Sequence, residues 1–457
     1  MQPVFGLATR SLRTRAGAFT TSFLMMFFGA TILMAFASLL DTAAAAGVSE
    51  PSEATLTATA TAVVGWGLLP VAYGATATLT LAVRRRGSEI DLLKSLGATR
   101  AQIGRMIVGE AAVVSVAAAA LAVLPAMPAG RALLWLLVDS GQVADSVPYV
   151  FGPTALTLGA GVTLGAALAA ATLAARRATR TRTPFRPSPA RDDGRMSRER
   201  KVAAGGCLSV GLAHGTVTAT VMNGESSDTM MQTAGQASLW FAIGLALMGP
   251  FLVRTVIAEL AAPLARLGGA SGYLALRNVR RRAHRTANAL TPVILFTGVA
   301  TGALVTCGVE SEAAAAEGIV KSASDRNIET LNVVVIGIVA VLACMMLVNT
   351  MVAATTHRGR EFGQHRLIGT TPEQVLWMVG LESAVLALAG VVFGTLAGAV
   401  TVVPYTIART DEVLPDTGLG LWLGVVAVAV LATLASAIGT ARRTLRTAAV
   451  ETVAPTA

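Results

Sequence analysis

The chain has 457 residues, 54% of them hydrophobic and only 14% charged, with a mean hydropathy of +0.64. Soluble domains carry about 25% charge, so a water-soluble globular fold is excluded and an all-α polytopic membrane protein is expected. The net charge of +10 calls for no nucleic-acid partner, because the positions of the arginines explain it as topology and contact with lipid headgroups.

A helix needs about 20 apolar residues to cross the hydrocarbon, where lipid offers no partner to an unpaired backbone group. About ten runs meet that length. The first, Ala16 to Leu40, follows Arg10, Arg13 and Arg15 and is too long for a cleaved signal, so it is expected to be retained. Before it, Leu7 to Arg13 reads as an amphipathic interfacial element. The second run, Leu56 to Val83, leads into a polar stretch, and the third, Ile107 to Leu124, is expected to end at Pro125 and Pro128. The fourth, Thr154 to Ala175, closes on Arg176 and Arg177.

A basic, Pro-rich segment from Arg180 to Pro189 then reads as an extended linker. Two further runs follow, Val202 to Val221 and Leu239 to Ile257, separated by a polar turn at Asn223 to Asp228. The fifth is weakened by Gly205 and Gly206. Leu274 to Arg280 repeats the interfacial pattern, and the last four runs lie near Leu290 to Cys307, Leu331 to Ala354, Val375 to Val402 and Leu419 to Gly439. The expected organisation is a first half over 1–177, a connecting region over 178–271 with two extra spans, and a second half over 272–457.

If both termini are cytoplasmic, all of the 36 lysines and arginines except Arg131, Lys321, Arg326 and Arg409 fall inside. The outside loops instead carry Asp41, Glu50, Glu53, Asp139, Asp145, Glu225, Asp228, Glu310, Glu312, Glu317, Asp411, Glu412 and Asp416. This is the positive-inside bias of short loops, expected of a multi-pass bacterial cell-membrane protein.

The two polar stretches repeat each other. Arg86, Gly87, Glu89, Lys94, Gly97, Thr99, Gln102 and Glu110 answer to Arg358, Gly359, Glu361, Arg366, Gly369, Thr371, Gln374 and Glu382, each at the same offset. Each copy lies between two apolar runs, so each is read as a short polar helix and a turn between two spans. Glu89, Lys94, Arg100 and Arg105 in one, and Glu361, Arg366 and Glu373 in the other, offer charge that a soluble partner can grip. Gly97 and Gly369 permit the tight turn. The extra spans are even in number, so the halves are parallel repeats about an axis along the membrane normal.

Glu110 and Glu382 sit about one turn inside apolar helices. A carboxylate at membrane depth is expensive and marks a functional suspect, paired with Arg105 or a neighbouring span; a helix-start carboxylate favoured by the dipole and wetted by headgroups is the alternative. His214 and Asn349 read as interhelical hydrogen-bond partners, and the spacings Gly161, Gly165 and Gly390, Gly394, Gly398 as close-packing faces. Four scattered histidines give no metal site, and Cys207, Cys307 and Cys344, in or beside spans, give no disulfide framework.

The pattern Arg-Gly-x-Glu, then (Leu/Ile)-Gly-(Ala/Thr)-Thr, then a Glu entering the next helix, resembles the FtsX/MacB-like family of ABC transporter permeases in both halves. The ten-span layout is further similar to the bacitracin-efflux type permeases, without their large extracellular domain. The resemblance implies a membrane subunit with no catalytic residues and no cofactor of its own, worked by a separate ABC ATPase that holds ATP and Mg. These residues contain no P-loop: Lys94, Lys201 and Lys321 all lack a preceding Gly. The expected partners are two ATPase copies, membrane lipid, and a lipophilic or peptide substrate or a small extracellular protein. Three readings stand: export or outer-leaflet extraction of such a compound, mechanotransmission to an extracellular partner, and an ion-coupled transporter using Glu110 and Glu382.

Overall fold

The computed structural model describes residues 16–85, 87–180, 196–222, 227–256, 283–316, 358–413 and 418–448, with residues 259 and 415 and scattered positions between 337 and 356. The described elements are α-helices: α1 Ala16–Ala43, α2 Glu50–Arg85, α3 Gly87–Ser95, α4 Arg100–Asp139, α5 Pro153–Arg180, α6 Arg198–Thr220, α7 Ser227–Leu247, α8 Ala283–Ala316, α9 Gly359–Leu367, α10 Pro372–Thr410 and α11 Gly418–Leu445. Among the described residues seven are long and apolar enough to cross a membrane, and up to eight if Thr229–Leu247 and Gly249–Val256 form one bent span. Every apolar run of the sequence falls on a helix except Leu331 to Ala354, most of which lies outside the described residues, as do Asn349 and both interfacial elements.

The chain divides into two compact units, one of residues 1–191 with 321–335 and one of 192–320 with 336–457. In the first, α1 packs on α2, α4 and α5, and α5 closes the bundle by touching α2 and α4. Its core is small-residue rich, with Ala118, Ala122, Ala167, Ala170 and Ala171 fully buried beside Met26, Leu79 and Ile107. Alanines at these positions let the backbones approach.

In the second unit α8 and α10 form the central pair, with α7 on both, α6 on α7 and α10, and α11 against α8 and α10. The two helices of the connecting region therefore pack with the second half. Gly390, Gly394 and Gly398 carry the α8 contact: a Cβ on each would run into Val293, Thr297 and Thr301. The same expectation is corrected for Gly161 and Gly165, which have nothing within 4 Å of where a Cβ would stand; the close approach on α5 is made at Gly159, against Met34. His214 is likewise corrected, since its Nδ1 lies 2.9 Å from the Val210 carbonyl of its own helix.

Pro125 and Pro128 do not end the helix that carries the third apolar run. α4 runs through both to Asp139, 40 residues in all, because Ala122, Ala126, Leu133, Leu134 and Leu137 are buried on both sides of the prolines and packing holds a helix that propensity alone would break. At 1.5 Å per residue, α4 and α10 are each close to 60 Å long, about twice the hydrocarbon thickness.

Candidate functional site

The repeated stretches fold into the same hairpin, and local hydrogen bonds say why. α3 ends in a glycine turn: Gly97 N donates to Lys94 O at 3.1 Å and Ala98 N to Leu93 O at 2.9 Å, with Gly97 at φ +88. α9 ends identically, Gly369 N on Arg366 O at 3.0 Å and Thr370 N on His365 O at 3.0 Å, with Gly369 at φ +99. This is the Schellman closure, which needs a residue free to be left-handed. The next helix then opens at once on a capping box. Gln102 N donates to the Thr99 hydroxyl at 3.3 Å and Thr99 N to Gln102 Oε1 at 2.9 Å; Gln374 and Thr371 repeat the pair at 3.3 and 3.0 Å. The Thr-x-x-Gln spacing announces this box in the sequence.

Each hairpin is pinned by the same three apolar positions. Ile90, Ile103 and Ile107 are buried in the first unit, and Phe362, Val375 and Val379, at the same offset, in the second. What the hairpins leave exposed is the tip. Leu96 is 75% and Ile368 83% exposed, again at one repeat position, with Leu92 and Leu367 exposed beside them. Sequence reasoning stressed charge and missed these apolar tips; an apolar residue directly before the turn glycine was the available signal.

The candidate charges divide between inward and outward roles. Arg358 turns inward from the start of α9. Its guanidinium makes a bidentate pair with the Glu382 carboxylate, Nη2 donating to Oε1 at 3.2 Å and Nη1 to Oε2, while Nε donates to Glu361 Oε2 at 3.3 Å. The group also lies over the Phe362 ring, 5.3 Å from its centroid. Burial disfavours the guanidinium charge, but Glu382 and Glu361 outweigh that and raise the pKa above the ordinary arginine value. Glu382 is 6% exposed. His365 Nε2 stands 3.9 Å from Glu361.

Arg366 reaches sideways and donates to the carbonyls of Leu445 at 3.1 Å and Thr447 at 2.8 Å, where the last turn of α11 has orphan acceptors. Gly359 starts α9 close to Thr444 of α11. Glu373 is exposed on the first turn of α10.

In the first hairpin, Gly87 starts α3, Glu89 is half-buried, and Arg100 and Arg105 are exposed. Lys94 lies 3.4 Å from Asp91. Glu110 is 4% exposed and borders a small apolar cavity with Ile90, Ile107 and Ala171. Arg86 lies outside the described residues.

The structure also assembles a polar clasp at the far end of the first unit that sequence reasoning did not anticipate. Asp41, at the end of α1, accepts from the backbone amides of Gly152 at 3.0 Å, Thr154 at 2.9 Å and Ala155 at 2.8 Å. It therefore supplies an anion to the N-terminus of α5. The Thr42 hydroxyl accepts from Val150 N at 3.2 Å and the Tyr149 hydroxyl donates to Ser38 Oγ at 3.1 Å. Burial raises the Tyr149 pKa, opposed by the Ser38 hydrogen bond and by Arg131. In the second unit the corresponding end holds Glu310, which accepts from Tyr405 at 2.7 Å and from Arg409 Nε at 3.0 Å.

A family model described as FtsX-like permease C-terminal matches residues 61–183 and again 333–449. A comparison with curated proteins found no match. Each matched region takes in one complete hairpin with apolar segments on either side.

Proposed function

The chain belongs to the FtsX-like permease family and is a permease-type membrane subunit of the ABC class, and from that premise we propose that a separate ATPase docks on its two hairpins, one copy on each. The observation that carries the reading is the duplication of the whole joint. Schellman turn, capping box, three buried anchors and one exposed apolar tip recur at the same offset. A single polar loop needs no such equipment. Leu96 and Ile368 are the contact points, with Glu89, Lys94, Arg100 and Glu373 around them as a charged rim. ATP and Mg belong to the ATPase; this chain contributes the surface and the transmission.

The halves are proposed as 1–177 and 272–457, with the basic segment after Arg180 on the cytoplasmic side and both termini inside. The substrate is proposed to be a lipophilic or amphipathic compound exported or drawn from the outer leaflet. Control of an extracellular partner is a second reading, favoured by helices that extend well past the hydrocarbon, α4 with 40 residues and α10 with 39. Ion coupling through Glu382 is disfavoured by its bidentate pair with Arg358, because a carboxylate whose charge is already met by a guanidinium is not open to a coupling ion.

Purification of the tagged full chain from its native membrane, with counting of the copurifying ATPase, tests the reading. Two ATPase copies per chain are expected, one with Leu96→Asp or Ile368→Asp and none with both. Full ATPase recovery with the double variant would overturn the docking assignment.

A further inference from the structure

The outer half of α4 carries a second surface that ATPase docking does not use. Leu124, Met127, Arg131 and Trp135 follow one another at steps of three and four and are all exposed, so they form one stripe along the helix. Arg131 is held in place from behind. Its guanidinium lies over the Tyr149 ring at 5.8 Å, and the Tyr149 hydroxyl is tied to Ser38. Gly130 leaves the room for this, since a Cβ there would strike both the Tyr149 hydroxyl and Ser38 Oγ.

Charge and depth identify what the stripe fits. The Asp41 carboxylate of the same clasp is committed to three backbone amides, and among the described residues no carboxylate pairs with Arg131. The contrast is Arg409, whose charge is met by Glu310. Arg105, exposed near the start of α4, and Arg131 are separated by about 39 Å of helix at 1.5 Å per residue, close to the distance between the two headgroup layers of a bilayer. With the hairpin on the cytoplasmic side, Arg131 stands among the outer headgroups, Leu124 and Met127 lie against the acyl chains, and Trp135 lies just above.

We propose that Arg131, backed by Tyr149 and flanked by Met127 and Trp135, binds the phosphate of an anionic phospholipid of the outer leaflet. A planar guanidinium stacked on an aromatic face presents its N–H fork to a phosphate in a fixed orientation, and an indole at that depth covers the headgroup. The inference rests on the orientation used under the proposed function and names the lipid class met at the outer face.

The test is native mass spectrometry of the full chain released from nanodiscs of phosphatidylglycerol and phosphatidylcholine in equal parts. The wild-type chain is expected to retain phosphatidylglycerol preferentially. Arg131→Gln should lower that retention about tenfold, as loss of a charge-assisted hydrogen bond does, Arg131→Lys should keep part of it, and phosphatidylcholine should not change. Equal retention by wild type and Arg131→Gln would overturn the proposal. An Asp139→Cys variant, made in a chain whose Cys207, Cys307 and Cys344 are replaced by Ser and treated in intact cells with a membrane-impermeant maleimide, separates the two readings. Labelling from outside with unchanged lipid retention overturns this inference alone; labelling only after lysis overturns the orientation and both readings with it. Lipid loss in Arg131→Gln alongside an absent ATPase sinks only the docking assignment.

Discussion

Arg358 is where the residue scale matters most, because the arginine that opens the second repeat neutralises a buried carboxylate. Removing one partner strands a charge, and breaking such a buried pair costs about 3–5 kcal/mol. Arg358→Ala should therefore lower the melting temperature of the detergent-purified chain more than the double variant Arg358→Met with Glu382→Met, and a double-variant cycle will read the difference. The turn glycines make a cleaner case. Gly97 and Gly369 have nothing within 4 Å of where a Cβ would stand, so alanine there meets only the left-handed backbone, a cost of about 1–2 kcal/mol each. Thermal unfolding of Gly97→Ala and Gly369→Ala should show matching losses in the two copies. The sequence made these glycines legible, but left Glu382 open between a buried carboxylate and a helix-start carboxylate wetted by headgroups. It could not show that Arg358 faces inward, since spacing along the chain does not reveal which of two faces a helix-start side chain takes.

At the scale of elements, the long helices were legible from apolar length, and their ends were not. Pro125 and Pro128 looked like a stop, yet tertiary packing on both sides carries α4 onward to Asp139. Small-residue spacing was equally ambiguous: Gly390, Gly394 and Gly398 meet α8 while Gly161 and Gly165 face open space, and composition alone does not say which side has a neighbour. Gly394→Ala should thus overpack the α8–α10 contact at a cost of about 1–3 kcal/mol, whereas Gly161→Ala should be neutral or gain up to about 1 kcal/mol from helix propensity. Their melting temperatures in one detergent will rank them. Arg366 joins α9 to the end of α11 through two backbone carbonyls. With Arg366→Ala, the ATPase of the assembled complex should keep its basal turnover and lose stimulation by substrate; retained stimulation would show that α11 takes no part in transmission.

For the molecule as a whole, the duplication was visible in the sequence because each turn and cap uses residues that few others replace, Gly at the left-handed position and Thr with Gln at the box. The clasp around Asp41 and Tyr149 was not visible, since it joins residues more than a hundred positions apart that carry no local pattern. Helices as long as α4 and α10 predict that their far ends stand in water while still helical, which spin labels near Val138 and Ala408 would report as access to a water-soluble relaxant. The closed joint between α3 and α4 carries a mechanical consequence. Its hydrogen bonds are all local, so it forms without help from any partner and behaves as a fixed elbow between arms of about 14 Å and about 60 Å, taking 1.5 Å per residue. If it pivots at its buried anchors, a push of about 2 Å on the short arm becomes a sweep of roughly 8–9 Å at the far end of the long one. The geometry is that of a bell crank with a gain near four, and the second half of the chain supplies its twin.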